Sequence, residues 1–156
     1  MRHQIKVPHT IPNYSSQSSW LLKEQADTIK FGKCLAKSLT TQQILLLEGP
    51  LGAGKTSLVK GIAQGLSIKE PITSPSFALS HHYHSGQRVL VHLDLYRLEE
   101  PLAANELFIQ EEETASCFGG LMVIEWPSRL SLQIEEACHI SLEYLSTGGR
   151  TIALHS

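Results

Sequence analysis

The stretch Gly49-Pro50-Leu51-Gly52-Ala53-Gly54-Lys55-Thr56 constrains this chain more than any other. It fits G-x-x-x-x-G-K-[ST], the phosphate-binding P-loop, a pattern that needs a strand before it and a helix after it. Each position has a physical reason. Glycines at 49, 52 and 54 let the backbone take φ > 0 and approach a polyanion with no Cβ in between. The N–H groups along Gly49, Leu51, Gly52, Ala53, Gly54 and on to Ser57 then line a concave nest for a nucleotide, and the following helix turns its positive end to the phosphates. Lys55 can reach the β and γ oxygens, and the Thr56 hydroxyl can ligate Mg²⁺.

The flanks agree with the motif. Gln43-Ile44-Leu45-Leu46-Leu47-Glu48 is a short apolar run that reads as a buried strand. Beyond the loop, Leu58, Val59, Ile62, Ala63 and Leu66 recur at helical spacing on one face. With 156 residues, one domain is expected, large enough to bury a core without metal or disulfide staples. No apolar run approaches membrane-spanning length, and the first residues lack the apolar stretch of a secretory signal, so a cytoplasmic protein without a membrane partner is expected. Cys34, Cys117 and Cys138 have neither metal-like nor paired spacing and read as reduced structural thiols. The net charge of −2, with lysines and arginines spread out, argues against strong nucleic-acid binding by the isolated chain. It leaves room for a pathway in which a partner holds the RNA.

Residues 1–18 are polar, with Pro8, Pro12 and a serine-rich patch, and read as a flexible tail ahead of a single domain over 19–156. Trp20-Leu21-Leu22 suggests a short first strand. A helix is expected over 24–39 with Ile29, Leu35, Ala36 and Leu39 inward. After the P-loop helix comes a proline-constrained loop over 67–76. Extended runs at 77–84 and 88–94 flank Ser85-Gly86-Gln87 as a hairpin. A helix over about 103–117 ends at Gly119-Gly120, and Leu121-Met122-Val123-Ile124 forms another buried strand that Pro127 breaks. A loop with a short helix spans 129–136, and runs at 139–145 and 151–154 close the chain as a hairpin around Gly148-Gly149. Strand–helix units mixed with hairpins imply an α/β, P-loop NTPase-like three-layer domain with a mixed parallel and antiparallel central sheet.

Hydrolysis needs more than a P-loop: a carboxylate for Mg²⁺ or its waters, and a group that orients the attacking water. Asp94 and Glu125 each end an apolar strand, where open α/β sheets gather their ligands. Either could be the metal carboxylate, and the pattern leaves open which binds metal and which acts on water. A strand-end acid can also merely cap a turn. Glu48 is a weaker candidate, since a negative charge beside the loop disfavours phosphate unless it turns away. Ser74 and Ser76 could sense the γ-phosphate as switch loops do, although a plain Ser/Pro turn has the same composition. His81, His82 and His84 lack a Cys or acid at ligand spacing and read as surface histidines of the hairpin. Glu111-Glu112-Glu113 reads as a solvated helix face. Trp126 could be core, or an aromatic near the nucleotide or at an interface.

Four segments together resemble the TsaE family of small P-loop ATPases of bacterial tRNA threonylcarbamoyladenosine biosynthesis. They are Gly52-Ala53-Gly54-Lys55-Thr56, Ser74-Pro75-Ser76-Phe77, His92-Leu93-Asp94-Leu95-Tyr96-Arg97 and Ile124-Glu125-Trp126-Pro127. The similarity covers about residues 20–155. It implies an ATPase that works with two protein partners, TsaB and TsaD, and meets tRNA only through them. By the resemblance, Lys55 and Thr56 bind phosphate and Mg²⁺, Glu125 is associated with Mg²⁺, and Asp94 is needed for turnover. Ser76 stands where the family's switch-like loop has Thr, so the hydroxyl is kept and a methyl is lost. Pro50 replaces a frequent Asp outside the glycine nest. Gln25 falls near the adenine by the same resemblance.

These readings converge on an ATP hydrolase with Mg²⁺ as cofactor, in which Lys55, Asp94 and Glu125 carry the chemistry and Thr56, Asp94 and Glu125 serve the metal. Two rivals remain. A small-molecule or nucleotide kinase usually adds an Arg-bearing lid, but this chain has five arginines and a last third that reads as strand. The other is a non-catalytic nucleotide switch, over which the two strand-end carboxylates favour hydrolysis without excluding it.

Overall fold

The computed structural model describes residues 19–39 and 44–155. The expected tail at 1–18 and Gln43, the anticipated start of the P-loop strand, lie outside the described residues.

The chain runs through β1 (Ser19–Leu22), α1 (Gln25–Ser38), β2 (Ile44–Glu48), α2 (Lys55–Gly65), β3 (Ser80–Tyr83), β4 (Leu90–Asp94), α3 (Pro101–Cys117) and β5 (Leu121–Glu125). A 3₁₀ turn (Pro127–Arg129), β6 (Ala137–Tyr144) and β7 (Arg150–His155) follow. All seven strands join one sheet in the order β1-β7-β6-β2-β5-β4-β3. β2 runs parallel to β5 and β6, and β4 parallel to β5. β1 with β7, β6 with β7, and β3 with β4 are antiparallel. The sheet is therefore mixed, with a parallel centre.

The central strands are apolar on both faces because both faces are covered. Leu45, Leu47, Leu121 and Val123 pack toward α1 and α2. Leu46, Met122 and Ile124 alternate to the other side, against Ala104, Phe108 and Ala115 of α3. Three layers result. At the start of α1 the Glu24 N–H donates to Asp27 Oδ2 at 3.0 Å, satisfying a donor the helix cannot. Leu35 and Ala36 are buried as expected, while Ile29 and Leu39 are half-buried. Phe31, not anticipated on the inner face, is fully buried with its ring centroid 5.0 Å from that of Trp20. Its burial stabilises the fold by about 2–3 kcal/mol.

Two expectations change. The extended run at 77–84 shrinks to β3, because residues 75–79 form a turn in which Leu79 N–H donates to Pro75 O at 2.6 Å and Leu79 adopts φ +69°. Phe77 is consequently 83% exposed. The acidic run on α3 is not wholly solvated either. Helical spacing puts Glu111 on the same face as Ala104, Phe108 and Ala115, and all four are buried. Glu111 accepts from Ser80 Oγ at 3.1 Å and pairs with His82 Nε2, tying edge strand β3 to α3. The three cysteines are free, and burial pushes the Cys138 thiol up to about 11. Among the described residues no helix is long and apolar enough to cross a membrane.

α1 and α2 cross closely at Gly32 and Gly61. A Cβ on Gly61 would stand 2.1 Å from the Ile29 carbonyl oxygen, and one on Gly32 would stand 2.4 Å from that of Leu58. Gly61→Ala should therefore destabilise the protein by about 1–3 kcal/mol, even though Ala is the better helix former. Urea denaturation followed by circular dichroism reads this as a lower midpoint. An unchanged or raised midpoint would contradict the crossing described.

Candidate functional site

The P-loop leaves β2 beside exposed Glu48 and turns back into α2. The turn needs φ +74° at Gly52 and +104° at Gly54, a region L side chains rarely adopt. Gly54 immediately precedes α2, so the helix N-terminus opens at Lys55. Gly49 serves packing: a Cβ there would lie 2.5 Å from the Leu142 carbonyl oxygen of β6. Ala53 is fully buried.

Lys55 folds back along the loop. Its Nζ donates to the carbonyls of Gly49 at 2.6 Å and Pro50 at 2.9 Å, and lies 4.5 Å from the centre of the Trp126 ring. Burial pulls its pKa below the ordinary lysine value, and the charges of Glu125 and Asp94 pull the other way. Thr56 Oγ1 donates to Glu125 Oε1 at 3.2 Å. Asp94 and Glu125 stand opposite one another in the β4–β5 register, both at the C-terminal ends of parallel strands. Asp94 Oδ2 accepts from Ser74 Oγ at 3.0 Å, and Oδ1 from the Tyr96 N–H at 3.0 Å. The proline-constrained loop is thus bonded to one of the two acids.

Gln25 Nε2 donates to Ser57 Oγ at 2.9 Å, fastening the start of α1 to that of α2. Gln25, Leu51, Gly52, Gly54, Lys55, Thr56, Ser57, Ser74, Ser76, Asp94 and Glu125 line one cavity of about 500 Å³. Gly49 lines a smaller neighbouring cavity instead, and Ala53 is buried. Tyr96, Arg97, Trp126 and Arg150 complete the wall. Trp126 is held at φ +59°, uncommon for a bulky residue, and its ring centroid lies 4.9 Å from that of Tyr96.

Arg150 is the wall residue that sequence reasoning missed. It opens β7, and its Nη1 donates to Ala53 O at 3.4 Å. A Cβ on Gly54 would stand 2.3 Å from that Nη1, and Arg150 Nε is buried without a partner among the described residues. No local pattern marks it; only the sheet order carries it to the P-loop, 97 positions from Ala53.

The oxygen donors of Thr56, Glu125 and Asp94 are of the hard kind that Mg²⁺ takes. Among the described residues no three His, Cys, Asp or Glu side chains converge as a metal set. Mg²⁺ at a P-loop draws its other ligands from phosphate and water, so one hydroxyl with one or two carboxylates fits it.

A strand, glycine loop and helix, with two carboxylates at the ends of neighbouring parallel strands, define a P-loop nucleotide-binding domain. Residues 22–152 match the model of the TsaE family, threonylcarbamoyl adenosine biosynthesis protein TsaE. The chain belongs to that family. The tRNA threonylcarbamoyladenosine biosynthesis protein TsaE of Nostoc sp. (strain PCC 7120) is 42% identical over 132 residues, covering 83% of this chain and 80% of the relative. The protein of the same name from Treponema pallidum is 40% identical over 130 residues, covering 82% and 93%. The crystal structure of Bacillus subtilis YdiB superposes with a TM-score of 0.69 at 27% identity, covering 91% of this chain and 86% of that one.

The opposed influences on Lys55 can be separated. Glu125→Gln removes one of the two charges that hold the lysine pKa up, so the pKa should fall further below the ordinary value. An NMR titration of the lysine side chain would show it; a pKa that stays or rises would contradict the charge coupling.

Proposed function

We propose that this protein is an Mg²⁺-dependent ATP hydrolase that supports threonylcarbamoyladenosine modification of tRNA beside the anticodon, acting with TsaB and TsaD in the cytoplasm. Family membership supports the pathway. The observation that carries the chemistry is the 3.2 Å hydrogen bond from Thr56 to Glu125. It joins the P-loop hydroxyl to a strand-end carboxylate, the pairing a phosphate-bound metal needs. Residues 19–156 are taken as the ATPase domain, with 1–18 as a separate tail.

Lys55 leaves the Gly49 and Pro50 carbonyls and takes the β- and γ-phosphate oxygens. The N–H groups at the start of α2 receive the same phosphates. Gln25, bonded to Ser57 at the start of α2, is assigned to the nucleoside end. Thr56 and Glu125 hold Mg²⁺, which when bound neutralises charge on the transferred phosphoryl group. Asp94 orients the attacking water, with Ser74 and Ser76 sensing the γ-phosphate. Both Asp94 oxygens are engaged in the resting chain, one of them by Ser74. Asp94 becomes available when the loop moves, and the partners supply that movement. Slow turnover alone follows. Residues 137–144 and 150–155 are built into the sheet as β6 and β7 rather than into a kinase lid.

Phosphate release from ATP–Mg²⁺, alone and with TsaB and TsaD, tests the reading. Stimulation by the pair is expected, with a loss of roughly 100-fold in Lys55→Ala, the scale of removing one preorganised charge partner. Fast release by the isolated chain would contradict partner gating. Wild-type release by Lys55→Ala would contradict the site.

A further inference from the structure

His92 lies in the middle of β4 with no exposed surface. The chemistry above makes no use of it. Alternation along the strand puts Leu90, His92 and Asp94 on the face toward α2, while Val91 and Leu93 pack on the α3 side. The β4–β5 register sets His92 opposite Val123 and Asp94 opposite Glu125. His92 and Glu125 are therefore diagonal neighbours on one face, within reach of long side chains.

They meet. His92 Nε2 lies 2.9 Å from Glu125 Oε1, the oxygen that also accepts the Thr56 hydroxyl at 3.2 Å. In the tautomer with the proton on Nε2, the ring donates to this carboxylate oxygen. Glu125 Oε2 takes no hydrogen bond among the described residues. The other ring nitrogen, Nδ1, is buried without a partner among the described residues. Packing does not account for this histidine. Its surroundings in the strands, Leu90 and Val123, are apolar, and an apolar side chain would leave no orphaned nitrogen. A buried polar group kept half-satisfied calls for an explanation in function rather than stability.

We propose that His92 is a positioning residue for Glu125, an inference that rests on the ATP–Mg²⁺ reading of the site. Its Nε2–H and the Thr56 hydroxyl bind the same carboxylate oxygen from two elements, β4 and α2. Two donors on Oε1 fix the carboxylate rotation and leave Oε2 as the oxygen available to the metal. Outer hydrogen bonds of this kind orient metal-ligating carboxylates, and their loss typically weakens the metal. His92 touches neither nucleotide nor metal and acts only through Glu125.

The test separates metal from nucleotide. The dissociation constant of the non-hydrolysable ATP analogue AMP-PNP is measured by calorimetry in EDTA and again in saturating Mg²⁺, and the ratio gives the metal's contribution. For His92→Leu the value in EDTA should stay near wild type, while the tightening by Mg²⁺ should shrink about 10-fold or more. His92→Gln, whose amide nitrogen can stand in for Nε2, should restore most of it. Should the leucine variant not fold, His92→Asn serves: it is polar, but too short to reach Glu125, and should behave as the leucine variant was expected to. An undiminished Mg²⁺ effect in His92→Leu or His92→Asn overturns the proposal, as does a glutamine variant no better than these. Absence of any AMP-PNP binding by the wild-type chain would instead overturn the nucleotide reading beneath it.

Discussion

Parallel pairing of β2 with β5 sets Leu47 opposite Glu125, and pairing of β5 with β4 sets Glu125 opposite Asp94. The site depends on this alignment. Parallel strands end on the same side, so the loop after β2 and both acids open into one cavity. A slip of one residue would turn Glu125 to the α3 side and put Ile124 beside Thr56. The apolar residues prevent it. Val123 and Leu121 belong to the core under α1 and α2, and Met122 and Ile124 to the core under α3, and both sets are fully or almost fully buried. Core packing thus holds the register, and the register places the chemistry.

Three charged side chains gather where the two cores end: Lys55, Asp94 and Glu125 are 5%, 4% and 3% exposed. Charges so buried need partners, because desolvation is costly. Each has them. Lys55 uses the Gly49 and Pro50 carbonyls, Asp94 uses Ser74 and the Tyr96 N–H, and Glu125 uses Thr56 and His92. On the proposed function, nucleotide binding is an exchange: Lys55 would trade carbonyls for phosphates, and Asp94 a serine for water. Exchange lowers the net gain on binding, and it lets the domain keep its site in shape between turnovers.

Much of this was legible in the chain. The P-loop, its strand and its helix follow from local spacing, and both acids could be read because an acid that ends an apolar strand stands at the sheet's ligand edge. The missed features have non-local causes. Phe31 is buried because Trp20 of β1 lies over α1, which the helix's own periodicity does not reveal. Glu111 lies inward because β3 offers Ser80 and His82 as partners. Arg150 reaches the P-loop only because β7 sits between β1 and β6. The turn before β3 depends on a left-handed Leu79, an unfavourable state that no propensity predicts. The need for glycine at 61 comes from the approach of α1, which the periodicity of α2 does not reveal.

The proposed function requires the 49–57 loop and the two strand-end acids to form one nucleotide site. Calorimetric titration of ATP with Mg²⁺ into the purified chain tests this most directly, with Lys37→Ala, an exposed lysine of α1, as the control. One nucleotide bound per chain is expected, kept in Lys37→Ala and lost in Lys55→Ala. Equal binding by the Lys55 variant would place the nucleotide elsewhere and contradict that requirement.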